Sequence, residues 1–296
     1  MPLEKIKEQK TIQELLEFSI INIDKSSGPT SFDISNFVRK SLKNIGVRKT
    51  SHFGTLDPKV TGVLPIALNR ACKLTGFFLG EDKEYVGIMR IHEDVSLEKI
   101  EKIIKEKFLG KIIQKPPVKS RVKRQERERE VKKFELLEKN KKDILFHAEV
   151  QGGTYIRKLI SDLGDYMKIG MHMLELRRIR AGIFEECNKN YPSVNLHDFV
   201  KAVEEYKKGN EKSLRKILIP AEIVSEVYPF IEVKENEIQK LFTGKPILKE
   251  DLEKFEKFEN NKIISVFSGK KFIGMYEVLN ESHIFAKPKF VLQPIK

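Results

Sequence analysis

The sequence predicts an α+β fold on three observations. Strand-like and helix-like segments mix without a repeated βαβ period, Gly- and Pro-punctuated loops separate them, and residues 222–296 shift toward short strands. Residues 1–19 are charged, with a short apolar set at Ile12, Leu15, Leu16 and Phe18, and read as a weak helix or an arm that packs elsewhere. Ile20–Ile23 reads as a strand, broken by the turn Asp24-Lys25-Ser26-Ser27-Gly28-Pro29. Thr30 or Ser31 caps a following helix whose apolar side carries Phe32, Phe37, Val38 and Leu42, and Gly46 ends it. Residues 51–62, SHFGTLDPKVTG, form a loop, and Val63–Leu68 is a buried segment after it. Tyr85–Ile91 alternates as a strand does. Leu97, Ile100, Ile103, Ile104 and Phe108 have helical spacing, with Gly110 as the stop. Ile144–Val150 is another strand and runs into the turn Gly152-Gly153-Thr154. A helix begins there, with Ile156, Leu159, Ile160, Leu163, Tyr166 and Met167 on one stripe. The character changes around Ile217–Glu226. A short helix near Glu235–Phe242, a turn at Gly244–Pro246 and strands at Ile263–Phe267, Phe272–Val278 and His283–Ala286 follow.

A chain of 296 residues with 40% hydrophobic content makes one large domain or two unequal ones. Lys plus Arg number 56 against 43 Asp plus Glu, a formal charge of +13. That balance favours a polyanionic partner, although a lysine-rich proteome produces the same number. Cys72 and Cys187 stand far apart, and no Cys or His cluster has metal-ligand spacing. Both cysteines are expected as small buried side chains in a reducing cytosol. The N-terminal MPLEKIKEQK lacks an apolar signal core and no apolar run approaches transmembrane length, so a cytoplasmic protein without a membrane partner is expected. No phosphate-cradling or dinucleotide motif is present, and Ser51, His52 and Asp57 lie in one short loop without a nucleophile elbow.

Four stretches could carry chemistry. In His52-Phe53-Gly54-Thr55-Leu56-Asp57-Pro58, Pro58 restricts Asp57 to extended backbone. Read alone, Asp57 is either a turn residue, the commoner role of Asp-Pro in a loop, or a catalytic acid held with few degrees of freedom. In Gly152-Gly153-Thr154-Tyr155-Ile156-Arg157, the diglycine turn admits a close neighbour, and Arg157 sits in a first helical turn, where a cation opposes the macrodipole. Either a functional anion or an ordinary surface carboxylate would answer it. Tyr85, at a strand start, could stack on a nucleobase or be a half-buried strand residue. Lys115–Lys133 holds nine basic and three acidic residues, and Pro116-Pro117 keeps its start extended. It reads as a phosphate-tracking arm or a solvated charged loop.

Six segments recur in one order: DKSSGPTSFD (Asp24–Asp33), HFGTLDPKVTGVLP (His52–Pro65), KEYVG (Lys83–Gly87), QKPPVKSRVKR (Gln114–Arg124), GTYIRKLISDLG (Gly153–Gly164) and LRRIRAGIF (Leu176–Phe184). This collinear set resembles the TruB/dyskerin pseudouridine synthases, and PKVTGVLP and PPVKSRVKR lean toward the archaeal, guide-RNA-dependent branch. The resemblance implies a mixed or antiparallel-sheet catalytic domain at residues 20–221, a small mostly-β PUA domain at 222–296, and an arm at 1–19 packing on it. It implies Asp57 as catalytic carboxylate, Arg157 as its salt-bridge partner and Tyr85 as the residue that stacks on the target base. Lys25, His52 and Leu176 match residues lining the pocket or supporting the loop, and Lys115, Lys119, Arg121, Lys123 and Arg124 fall in the RNA-binding arm. Neither cofactor nor metal is implied.

The implied partners are an H/ACA guide RNA and substrate RNA, a small zinc-ribbon-like nucleolar-type protein, a Gly/Arg-rich-type protein and a kink-turn-binding ribosomal-type protein. A stand-alone synthase of the tRNA T-loop and a non-catalytic RNA scaffold are the alternatives. Phe53, Arg121 and His172 depart from the family pattern, and the short Ile91–Leu97 segment lacks the insertion of bacterial relatives.

Overall fold

The computed structural model of the chain describes residues 3–116 and 123–293. Eleven strands form its larger sheet. They are β1 (Ser19–Lys25), β2 (Thr50–His52), β3 (Thr61–Leu68), β4 (Lys83–Ile91), β5 (Gly110–Gln114), β6 (Arg127–Asn140), β7 (Asp143–Val150), β8 (Met171–Ala181), β9 (Phe184–Glu185), β10 (Val194–Asn195) and β11 (Ile219–Pro220). The order is β10-β1-β3-β8-β4-β7-β6-β5, with β11 beside β1, β2 beside β3 and β9 beside β8. The β1–β10 and β3–β8 pairs are parallel, and the others are antiparallel. A second, five-stranded sheet comprises β12 (Phe230–Glu232), β13 (Ile247–Leu248), β14 (Ile263–Ser268), β15 (Lys271–Glu281) and β16 (Ile284–Val291). The α+β class is therefore the observed one.

Side-chain alternation along β1 and β3 divides the core in two. The pairs Ile21–Ile66 and Ile23–Leu64 face one apolar cluster, and the pair Ile20–Ala67 faces the other. The first cluster takes Ile12, Leu15 and Leu16 of a short N-terminal helix, Ile34, Val38 and Leu42 of the Ser31–Leu42 helix, and Ile156, Leu159, Ile160 and Leu163 of the Ile156–Met167 helix. Burying each such side chain is worth about 1.5–3 kcal/mol. The second cluster joins Phe53, Phe78 and Phe184 to Phe267, Phe272 and Met275 of the smaller sheet, with Leu3 and Ile6 of the first helix. The two sheets thus meet through a shared core.

Several expectations are corrected. The Ser31–Leu42 helix starts at a Thr30–Asp33 capping box, but Phe32 and Phe37 are 68% and 40% exposed. Ser31 and Ser35 turn inward instead, because their hydroxyls bond the segments packed beneath: Ser31 to Leu56 and Ser35 to Thr50. The 51–62 loop opens with the short strand β2. The last part of the basic Lys115–Lys133 stretch, from Arg127, is strand: in β6, Arg127 and Arg129 are half-buried while Glu128 and Glu130 are exposed. An all-charged period of two gives no apolar signal, so the strand was hidden. Tyr166 leaves the helical stripe to stand 53% exposed, and Cys187 is exposed rather than buried. Among the described residues, no helix is long and apolar enough to cross a membrane.

Candidate active site

Asp57 lies on the loop between β2 and β3, and its neighbours are tied down one by one. Phe53 is buried, stacked on Phe78 with ring centroids 4.7 Å apart, and its N–H donates to the Pro65 carbonyl at 3.0 Å. Leu56 is buried; its N–H donates to the Ser31 hydroxyl at 2.8 Å and its carbonyl accepts from that hydroxyl at 2.9 Å. The Gly28 N–H and the Lys25 ammonium both reach the Pro58 carbonyl at 2.9 Å. Lys25 also donates to the Ser26 and Val60 carbonyls at 2.9 and 2.8 Å. Burial pushes its ammonium below the ordinary lysine range, but three donors meet three acceptors. Lys25 therefore supports the loop from beneath and, being wholly buried, lines no pocket. Asp57 rises from this frame, its side chain 53% exposed.

A residue that sequence reading did not single out completes the frame. Arg178 of β8 is 1% exposed. Its Nε donates to the Val63 carbonyl at 2.8 Å and one terminal nitrogen to the Gly54 carbonyl at 3.0 Å. It also bonds the hydroxyl of Tyr85, its register partner on β4. One buried guanidinium thus ties the Asp57 loop to Tyr85. Nothing local in the segment LRRIRAGIF says which of Arg177, Arg178 and Arg180 turns inward. Arg177 pairs with Asp24 and Glu186, and Arg180 with Glu84 and Glu149.

Gly62 lets β3 approach β8 here. Its φ is +103°, and a Cβ would lie 2.1 Å from the Arg178 carbonyl oxygen. Gly62→Ala is accordingly expected to cost about 3 kcal/mol or more in urea unfolding, since neither backbone can yield without breaking the ladder. A loss below about 1 kcal/mol would contradict that close approach.

Across the loop, the Arg157 guanidinium ion-pairs with the Asp57 carboxylate, so the cation in the first turn of the Ile156–Met167 helix has its anion. The turn before it fits its glycines: a Cβ on Gly152 would lie 2.6 Å from the Leu79 carbonyl oxygen. The close neighbour is this chain's own 79–81 segment. Tyr85 is 8% exposed and Leu176 likewise, and both lie in the apolar cluster that contains Leu56. His52 is half-buried, its Nε2 3.1 Å from the Thr55 hydroxyl. Burial first, then the charge of Arg178, hold its ring below the usual histidine range. Lys83, under the same loop, donates to the Leu79 carbonyl at 2.9 Å and to that of Glu81, and burial, then Arg178, push it down to about 8. In the arm, Lys115, Lys123 and Arg124 are exposed, while Lys119 and Arg121 lie outside the described residues. His172 pairs with His92 on the surface at 2.7 Å. Among the described residues, no group of three or more His, Cys, Asp or Glu could hold a metal ion.

Residues 40–156 match the model of the TruB family pseudouridylate synthase N-terminal domain, and residues 157–225 that of the tRNA pseudouridylate synthase B C-terminal domain. The chain is 40% identical over 265 residues to a probable tRNA pseudouridine synthase B of Methanopyrus kandleri, covering 89% of this chain and 76% of that one. It is 38% identical over 282 residues to the protein of the same name from Methanocaldococcus jannaschii, covering 92% and 82%. Among solved structures, a Cbf5-Nop10-Gar1 complex matches with a TM-score of 0.88 at 34% identity, over 97% of this chain and 89% of the other. An H/ACA RNP bound to a substrate RNA containing 2'-deoxyuridine matches at 0.86 and 32%, over 97% and 89%. Fold and relatives together define a pseudouridine synthase, an isomerase of RNA uridines. The chain belongs to the TruB family of these enzymes.

Proposed function

We propose that the chain is the catalytic subunit of a guide-RNA-dependent H/ACA ribonucleoprotein that acts on rRNA, with tRNA as a further substrate. The observation that carries this reading is the extent of the likeness: 97% of the chain, second sheet included, superposes on the protein of the Cbf5-Nop10-Gar1 complex. The second sheet is read as a PUA domain within residues 222–296 that grips the guide's terminal ACA region, beside a catalytic domain at 20–221. The stacking of Phe18 on Phe272, ring centroids 5.5 Å apart, supports an arm at 1–19 that braces it. The partners are guide and substrate RNA, a zinc-ribbon-like protein, a Gly/Arg-rich-type protein and a kink-turn-binding protein. The setting is cytoplasmic.

In this reading the target uridine leaves its stack to meet the loop. Asp57 acts as nucleophile or electrostatic partner while the C1′–N1 bond breaks, the uracil turns and the C1′–C5 bond forms. The C5 proton is lost and N1 gains one, so the product is an isomer and needs no external oxidant or cofactor. Arg157 orients the carboxylate, and the ring of Tyr85, held by Arg178, stacks on the turning base. His52 and Leu176 lie beside the flipped nucleotide. Lys115, Lys119, Arg121, Lys123 and Arg124 follow the RNA backbone.

A stand-alone enzyme acting on the tRNA T-loop is the second reading, favoured by the names of the archaeal relatives. A bare tRNA transcript and a guided substrate with the partner proteins are incubated with the chain, and pseudouridine is mapped by mass spectrometry. We expect efficient conversion only in the guided reaction. Full-rate conversion of the bare transcript transfers the assignment to the stand-alone reading.

A further inference from the structure

Gln114 is 2% exposed, and both ends of its amide are used. Its oxygen accepts from the Tyr155 N–H at 3.0 Å, and its nitrogen donates to the Tyr155 carbonyl at 3.3 Å. A side-chain amide here takes the place of a neighbouring strand's peptide. Tyr155 is the N-cap of the Ile156–Met167 helix, in extended backbone, two positions before Arg157. The opening N–H groups of a helix have no partner within it, so contacts from outside decide where its first turn sits. Gln114 is also the last residue of β5 and pairs in register with Arg127, where β6 begins. Both ends of the basic arm leave from this rung. Arg129 of β6 reaches the same turn, its guanidinium 3.4 Å from where a Cβ on Gly153 would stand.

We infer that Gln114 is a positioning residue for the isomerisation: its amide holds the first turn of the Ile156–Met167 helix, and with it the Arg157 guanidinium that meets Asp57, against the root of the basic arm. The inference rests on the reading that Asp57 and Arg157 carry the chemistry. Its physical ground is that the Arg157 side chain is 60% exposed and gains little of its orientation from packing. The backbone beneath it therefore sets where the guanidinium points, and small misplacements at a reacting centre are costly. An apolar side chain at position 114 would fill the space without gripping the peptide.

The test uses the full chain with the RNA and partners it turns over with, under single-turnover conditions. Gln114→Ala is expected to slow isomerisation roughly tenfold, with RNA affinity within about twofold and faster amide exchange in the 153–157 segment. Gln114→Glu keeps the acceptor for the Tyr155 N–H and loses the donor, so it should recover part of the rate. In an Arg157→Lys background, Gln114→Ala should cost less than about twofold, because the group it positions is already displaced. An equal loss in both backgrounds, a loss confined to RNA affinity, or unchanged amide exchange overturns the inference. An Asp57→Ala enzyme that still works overturns the underlying reading instead, so the two failures are distinct.

Discussion

Asp57→Ala is expected to abolish pseudouridine formation, lowering the rate by about 10⁴-fold or more while leaving the fold intact. The two halves of this expectation have different causes. Asp57 is the one side chain of its loop that is half exposed and meets a cation, whereas Phe53 and Leu56 beside it are buried. Its removal creates no cavity. It leaves Arg157 without its anion at a site where both partners are more than half exposed, and such pairs contribute at most about 1 kcal/mol to stability. Thermal unfolding should therefore move by a few degrees at most. Asp57→Asn keeps the shape and removes the charge, and should be as inactive. RNA binding by either variant should stay close to that of the parent chain. Unchanged pseudouridine yield from the alanine variant in a reconstituted particle would reduce the chain to an RNA scaffold.

Arg178→Met should be the most damaging single substitution in the frame beneath the site, costing about 3–5 kcal/mol. Two opposing effects decide the sign. Burial disfavours the Arg178 charge, and a methionine escapes that penalty. Replacing buried charges by apolar groups is often harmless when both partners go. Here the partners at Val63 and Gly54 are backbone carbonyls, which no side-chain substitution can remove. They and the Tyr85 hydroxyl each lose this donor, and a group left short of a partner costs about 1–3 kcal/mol. The losses outweigh the gain. Denaturant unfolding should read the stability change, and the surviving folded fraction should show a reduced isomerisation rate because Gly54 and Tyr85 are both released. A variant with stability within about 1 kcal/mol of the parent and normal activity would mean the guanidinium is not what holds the loop.

The sequence by itself determined the local pieces whose signals are local. Thr30 or Ser31 announced a cap, Gly152-Gly153 a tight turn, and Ile156, Leu159, Ile160 and Leu163 a buried helical stripe. The Asp57-Pro58 loop and the collinear segments around it marked the candidate site, and Arg157 in a first helical turn marked a missing anion. Tertiary structure alone decided which groups meet. Arg178 lies between Gly62 of β3 and Tyr85 of β4 only because β8 runs between those strands, and no spacing along the chain encodes that neighbourhood. The same holds for Gln114, which finds Tyr155 across 41 residues, and for Ser31 and Ser35, whose inward turn displaced Phe32 and Phe37 from the predicted apolar side. The physical reason is one of range. Capping, turn chemistry and periodic burial act within a few residues and leave a readable pattern. A buried polar group is stabilised by partners distant in sequence, and its inward or outward choice is made only when those partners arrive.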